Sequence, residues 1–256
     1  MTIHKHIDRQ VLTLTIARPE RKNALTAAMY TTLAEALMEA NDDSLVRAVV
    51  ITGAGGVFTA GNDLEDFMRR PPTQQSIDVT EPPFNFMYAL AGCEKPVIAA
   101  VVGAAVGIGA TLLLHCDFVY LSADARLSMP FVGLGLVPEY ASSLLLPRVG
   151  RAKAAAMLLL GDPMSAEEAV QCGIANAVLP ADEVLPAAQR VAARFNALAP
   201  GAVRESKKLL RRADSQLIAE TIQAEAVVFA ERLQSPEARE AMQAFFDKRK
   251  PDFSRF

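Results

Sequence analysis

The chain has 256 residues, 51% of them hydrophobic and 21% charged, with a net charge of −3. That length buries one large core with room for a small second lobe, and the acidic balance argues against the broad basic face that nucleic acids require. Three cysteines, Cys93, Cys116 and Cys172, cannot all pair and form no CxxC motif, which points to a reducing compartment.

The opening "MTIHKHIDRQ" has no apolar signal core, and "DFSRF" at the other end carries no receptor-read address, so a cytoplasmic protein is expected. His4 and His6 sit in a polar segment and His115 ends an apolar run. No metal set and no histidine-based triad can be built from them. "VLTLTIA" (11–17) alternates as a strand does, and "TAAMYTTLAEALMEAN" (26–41) has the spacing of an amphipathic helix. A strand at "VRAVVIT" (46–52) follows. The polar, proline-rich "RRPPTQQSIDVTEPPF" (69–84) reads as a surface loop.

The stretch "KPVIAAVVGAAVGIGATLLLHCD" (95–117) is long enough to cross a membrane. Gly103, Gly107 and Gly109 break it, and a buried strand over 96–102 followed by a turn and helix over 103–115 explains it better. "DFVYLS" (117–122) is the next strand. From about Pro200 the pattern is helical only, with a soft boundary near 196–201. Alternating strands and helices predict an α/β fold with largely parallel pairing, divided as a core over 1–198 and a helical lobe over 199–256.

Two glycine clusters invite comparison with nucleotide-binding loops. "VVITGAGGVF" fails as a dinucleotide fingerprint because Phe58 stands where the third glycine belongs, and "GAAVGIGA" lacks the Gly-Lys-Ser/Thr of a phosphate loop. Both can bring backbone close to a ligand. "FTAGNDL" (58–64) turns at Gly61, and "VGIGATLLL" (106–114) opens a helix whose first N–H groups lack partners. One such donor from each segment would flank a single oxygen, as in an oxyanion hole. Two tight turns with glycines for packing is the other reading. In "GLVPEYASSLLLP" (135–147), Glu139 is an acid inside an apolar run. Either Pro138-Glu139 enters a helix, where the dipole favours an acid, or Glu139 is a general base in a dry pocket.

Together, "RPERKNALT" (18–26), "FTAGNDLEDF" (58–67), "KPVIAAVVGAAVGIGATLLLHCDFVY" (95–120), "LVPEYASSLLLPRVG" (136–150) and "SAEEAVQCGIANAV" (165–178) resemble the crotonase superfamily, the enoyl-CoA hydratase/isomerase fold, essentially end to end. The resemblance implies repeated ββα units with a C-terminal helical lobe and a coenzyme A thioester as ligand. It implies no other cofactor, since CoA is part of the substrate. It places the thioester oxygen between the backbone N–H groups of Asn62, beside Gly61 and Leu64, and of Ile108, beside Gly107; in this picture the Asn62 side chain matters little. Backbone at Lys22, Ala24, Ala60 and Asp63 would hold adenine, and Arg18, Arg21 and Lys22 would meet phosphates unless they are an ordinary solvated turn. Phe229 and Lys248 would complete the CoA site, often for a neighbouring subunit. Homotrimers or hexamers are implied, with no nucleic-acid or membrane partner.

The chain departs from the hydratase pattern. The two glutamates that activate water are replaced by Thr111 and Phe131, which move no proton at neutral pH. Glu139 instead resembles the single acid of Δ3,Δ2-enoyl-CoA isomerases, in which a "PE" opens the helix facing the acyl chain, with Phe131 helping to exclude water. A β,γ to α,β double-bond shift with Glu139 as acid and base is therefore expected. A ring-rearranging isomerase, a hydratase and a CoA-ester-binding protein with little turnover are the alternatives.

Overall fold

The computed structural model describes residues 3–69, 81–142 and 149–256. Nine strands occur among them: β1 Ile3–Asp8, β2 Val11–Ile16, β3 Ala48–Gly53, β4 Val97–Val101, β5 Ala104–Val106, β6 Phe118–Ser122, β7 Arg126–Ser128, β8 Met164–Ser165 and β9 Ala177–Leu179. The main sheet runs β1-β2-β3-β4-β6-β9, and β5-β7-β8 form a smaller one. β1 is antiparallel to β2, and every other pairing in the main sheet is parallel.

Residue pattern follows position in the sheet. β3 begins "AVVI" and β4 reads "VIAAV", apolar on both sides, because helices cover both faces. On one face Val11, Ala48, Val50, Ile98 and Ala100 pack under Val184, Ala188 and Ala192 of the Ala181–Arg194 helix. On the other, Leu12, Leu14, Val49, Ile51 and Val97 belong to the large core. That core takes Tyr30, Leu33 and Leu37 from the Ala27–Asp42 helix, spaced three and four apart, and Phe86 and Leu90 from the Pro82–Ala91 helix.

A short element recurs beside each long strand. β4 is followed by β5 and a helix over Ile108–Thr111, and β6 is followed by β7. After β3, a parallel bridge joins Thr59 to Ala105, so three short segments lie side by side. Asn62, Ile108 and Phe131 stand just past their ends. This is the expected repeat of long strand, short strand and helix in a mixed α/β fold, with helices alone from Pro200 onward: Pro200–Arg211, Ser215–Leu233 and Pro236–Phe246. The first of these is fixed to the sheet by a partly buried cluster. Lys207 Nζ donates to Asp117 Oδ2 (2.6 Å) and to the Lys95 carbonyl (2.5 Å), and Arg211 Nη2 donates to Asp117 Oδ1 (3.0 Å).

Several expectations change. The stretch 103–115 is not simply turn and helix, because β5 precedes the Ile108–Thr111 helix and a 3-10 turn, Leu112–His115, ends it. The surface loop expected over 69–84 lies mostly outside the described residues. Its last residues, from Pro82, are already helix: a proline costs nothing in a first turn, where no N–H partner exists. Among the described residues no helix is long and apolar enough to cross a membrane.

Candidate active site

The site is built on a left-handed turn. Lys22 (φ 51°) and Asn23 (φ 59°) fold the chain back. The buried Asn23 side chain accepts from the Arg18 amide (2.8 Å) and donates to the carbonyls of Ala54 (2.8 Å) and Val57 (2.6 Å). Arg18 Nη1 donates to Asp63 Oδ2 (2.5 Å) and to the Ala24 carbonyl (3.1 Å). Burial raises the Asp63 carboxyl, but bonds and charge from Arg18, with the Asp66 and Glu65 amides, hold it below the usual carboxylate range. Among the residues expected around adenine, the amides of Lys22, Ala24, Ala60 and Asp63 all donate within the fold, to Pro19, Arg21, Lys22 and Leu25. These amides are therefore engaged inside the fold, and the Lys22, Ala24 and Asp63 carbonyls already accept there as well. Leu64 begins the Leu64–Arg69 helix beside them.

The same frame delivers two free amides. Leu25 pairs with the chain on either side of Asn62, accepting from Asp63 N and donating to Gly61 O, and leaves the Asn62 N–H out of the pattern. Ile108 is the first residue of its helix, where no intrahelical acceptor exists. Among the described residues neither N–H donates a hydrogen bond. The two segments touch: a Cβ on Gly61 (φ +88°) would lie 2.8 Å from the Val106 carbonyl oxygen and 3.9 Å from Gly107 Cα. The Phe131 ring closes one side, 3.8 Å from where a Gly107 Cβ would stand.

Glu139 joins them through Asn62. Its carboxyl is buried, 5% exposed, and Oε1 accepts from Asn62 Nδ2 at 3.3 Å. The Asn62 amide is oriented in turn by the Tyr30 hydroxyl, which donates to Asn62 Oδ1. The Asn62 side chain thus matters, contrary to expectation: one residue presents a main-chain donor and also grips the acid. Burial pushes the Glu139 carboxyl up to about 8; the Asn62 bond opposes this and the nearby Glu225 charge adds to it. Burial, and then the Glu139 charge, raise the Tyr30 hydroxyl well above its ordinary value, so Tyr30 stays a donor.

Pro138-Glu139 does not open a helix. Tyr140 (φ 65°) and Ala141 (φ 54°) follow in left-handed backbone, so the helix-entry explanation of the acid fails. Thr111 is buried, with Oγ1 turned to the Ile108 carbonyl (3.4 Å), and Phe131 has no titratable group. Phe229 is buried in this chain's own core and Lys248 is exposed beyond the Pro236–Phe246 helix. Tyr30, the Asn62 side chain and Glu225 escaped the sequence reading, since nothing in local spacing links positions so far apart.

The profile of the enoyl-CoA hydratase/isomerase family matches residues 6–255. The chain belongs to that family, the crotonase superfamily. It is 35% identical to 1,2-epoxyphenylacetyl-CoA isomerase of Escherichia coli, over 98% of each chain, and 33% identical to a probable enoyl-CoA hydratase of Bacillus subtilis, over 96% of each. Among solved structures, OdaA of Pseudomonas aeruginosa superposes with a TM-score of 0.90 at 50% identity, covering 95% of this family member and 98% of that chain. An enoyl-CoA hydratase/isomerase of Pseudoalteromonas atlantica gives 0.92 at 42% identity, covering 99% and 100%.

Proposed function

We propose that this family member is an acyl-CoA isomerase that moves a C3=C4 double bond to C2=C3, with Glu139 as the single acid/base. The observation that carries this reading is the double use of Asn62, whose side chain holds the Glu139 carboxyl while its main-chain N–H stays free beside that of Ile108. Glu139 removes the C2 proton of a β,γ-enoyl thioester, and the electrons pass to the carbonyl oxygen. The two amides stabilise that charge as it develops, each worth on the order of 10²–10³ in rate. The protonated Glu139 then returns its proton to C4, and the dienolate collapses to the conjugated ester. A carboxyl near 8 is well matched to taking and returning one proton. No resident cofactor enters this scheme, because CoA is part of the substrate. Cytoplasmic residence and assembly into a homotrimer or hexamer belong to the same reading. Leu209 and Leu210, exposed on a C-terminal helix, offer apolar surface to a neighbouring subunit.

The test follows conjugation of 3-enoyl-CoA esters by ultraviolet absorbance. Wild type is expected to turn over and Glu139→Gln to bind the ester but not convert it; equal turnover would end the assignment. Crotonyl-CoA should not be hydrated at a useful rate, since Thr111 and Phe131 supply no acid or base. A second reading comes from the E. coli relative, named as an epoxyphenylacetyl-CoA isomerase. The same base and amides would serve a ring rearrangement, and turnover of that epoxide with none of 3-enoyl-CoA would favour it. A protein that only binds CoA esters would convert neither.

A further inference from the structure

Directly after Glu139 the backbone adopts a conformation that L-residues disfavour. Tyr140 and Ala141 are both left-handed, both carry a Cβ, and both are fully buried; glycine is the usual occupant of such positions. Three elements hold the pair. His115 stacks on the Tyr140 ring at 3.8 Å, and its Nε2 donates to the Tyr140 carbonyl at 2.9 Å. Tyr140 Oη donates to the Met87 carbonyl at 3.0 Å. From the Ser215–Leu233 helix, Glu225 reaches across: Ala141 N donates to its Oε2 at 2.6 Å and Ser142 Oγ to its Oε1 at 3.3 Å. The contacts to Tyr140 fix a ring and a carbonyl. Among the described residues Glu225 alone takes up the Ala141 N–H, a buried donor that would otherwise need another acceptor.

We propose that Glu225 is a positioning residue for the reaction: its carboxylate clamps the Tyr140–Ala141 turn in the left-handed form and so fixes the Glu139 carboxyl against the Asn62 amide. This rests on Glu139 being the base. The competing role, a plain tie between the Ser215–Leu233 helix and the core, predicts no special dependence on the backbone preference of residue 141. The two roles separate in the full chain by combining Glu225→Ala, and the fold-sparing Glu225→Asp, with Ala141→Gly, which removes the Cβ penalty at φ 54°. Turnover of 3-enoyl-CoA, binding of a saturated acyl-CoA and the thermal midpoint are measured for each, with Glu139→Gln as reference. Either Glu225 variant should lower kcat about 10- to 100-fold with KM within about threefold, the scale of a slightly misplaced catalytic group. Adding Ala141→Gly should restore about tenfold, since a glycine holds the turn without the clamp. Unchanged kcat in both Glu225 variants overturns the proposal, and so does a slow Glu225 variant that Ala141→Gly fails to rescue. Wild-type turnover in Glu139→Gln would instead overturn the base assignment, and this proposal with it. An inactive Glu139→Gln beside fully active Glu225 variants removes the clamp alone.

Discussion

Asp117 and Glu139 are both carboxylates drawn away from water, and the fold treats them in opposite ways. Asp117 accepts from Lys207, from Arg211 and from the Val97 amide at 2.6–3.0 Å. Two cations and a main-chain donor satisfy it, and it ties the Pro200–Arg211 helix to the sheet. Among the described residues Glu139 accepts from one neutral donor, at 3.3 Å, and the charge of Glu225 repels it. Among the described residues no cation bridges it. A carboxylate that serves stability is neutralised by its neighbours, whereas one left in so costly a place has two protonation states close in energy, which the proposed proton transfer requires.

The contrast breaks most sharply at Glu139. Replacing it with glutamine should lower turnover by about 10²–10⁴-fold, the usual worth of a positioned acid/base, with ester binding kept; steady-state kinetics decide. The mirror experiment, Asp117→Ala, leaves Lys207 and Arg211 without their carboxylate. It should cost about 3–5 kcal/mol in denaturant unfolding while the folded fraction keeps its specific activity.

Stability sharpens the same point with opposite sign. Glu139 is raised in the folded chain from an ordinary 4.5 to about 8, so the folded state binds the extra proton. Its penalty is absent below about pH 4.5 and grows as pH rises toward 8. Glu139→Gln should therefore gain on the order of 3 kcal/mol at pH 7 and almost nothing at pH 4, read from paired unfolding curves. The smallest effect is expected at Asn62. Asn62→Ala keeps the main-chain N–H but removes the bond that favours the carboxylate. Turnover should fall by about tenfold, the scale of one hydrogen bond to a charged group. The rise of kcat/KM with pH, expected near 8 in the wild type from the raised Glu139 carboxyl, should move to higher pH; a shift downward would contradict the geometry.

Much of this was legible beforehand. β2, β3, β4 and β6 announce themselves by alternation or by continuous β-branched runs, and Glu139 stands out because an acid in "LVPEYASS" needs a reason. The two amides follow from a glycine turn and a helix start. The two- and three-residue strands β5, β7, β8 and β9 were not legible, since so few residues carry no period. β1 was missed because it lies at the sheet edge with all but one residue exposed. The bond between Asn62 and Glu139 spans 77 positions and that between Ala141 and Glu225 spans 84. Side-chain partnerships of that reach exist only once the core has brought the segments together. The left-handed pair after Glu139 was hidden for a different reason: tyrosine and alanine give no hint of a conformation that their neighbours impose.

The absence of a side chain at Gly61 carries a consequence of its own. Backbone at 61 and 106 approaches so closely that one methyl group would overlap a carbonyl oxygen. The gauge of the gap between the free Asn62 and Ile108 amides is therefore set by an omitted atom, and mere alanine at 61 would act as a shim, splaying the jaws while the acid beside them stayed intact.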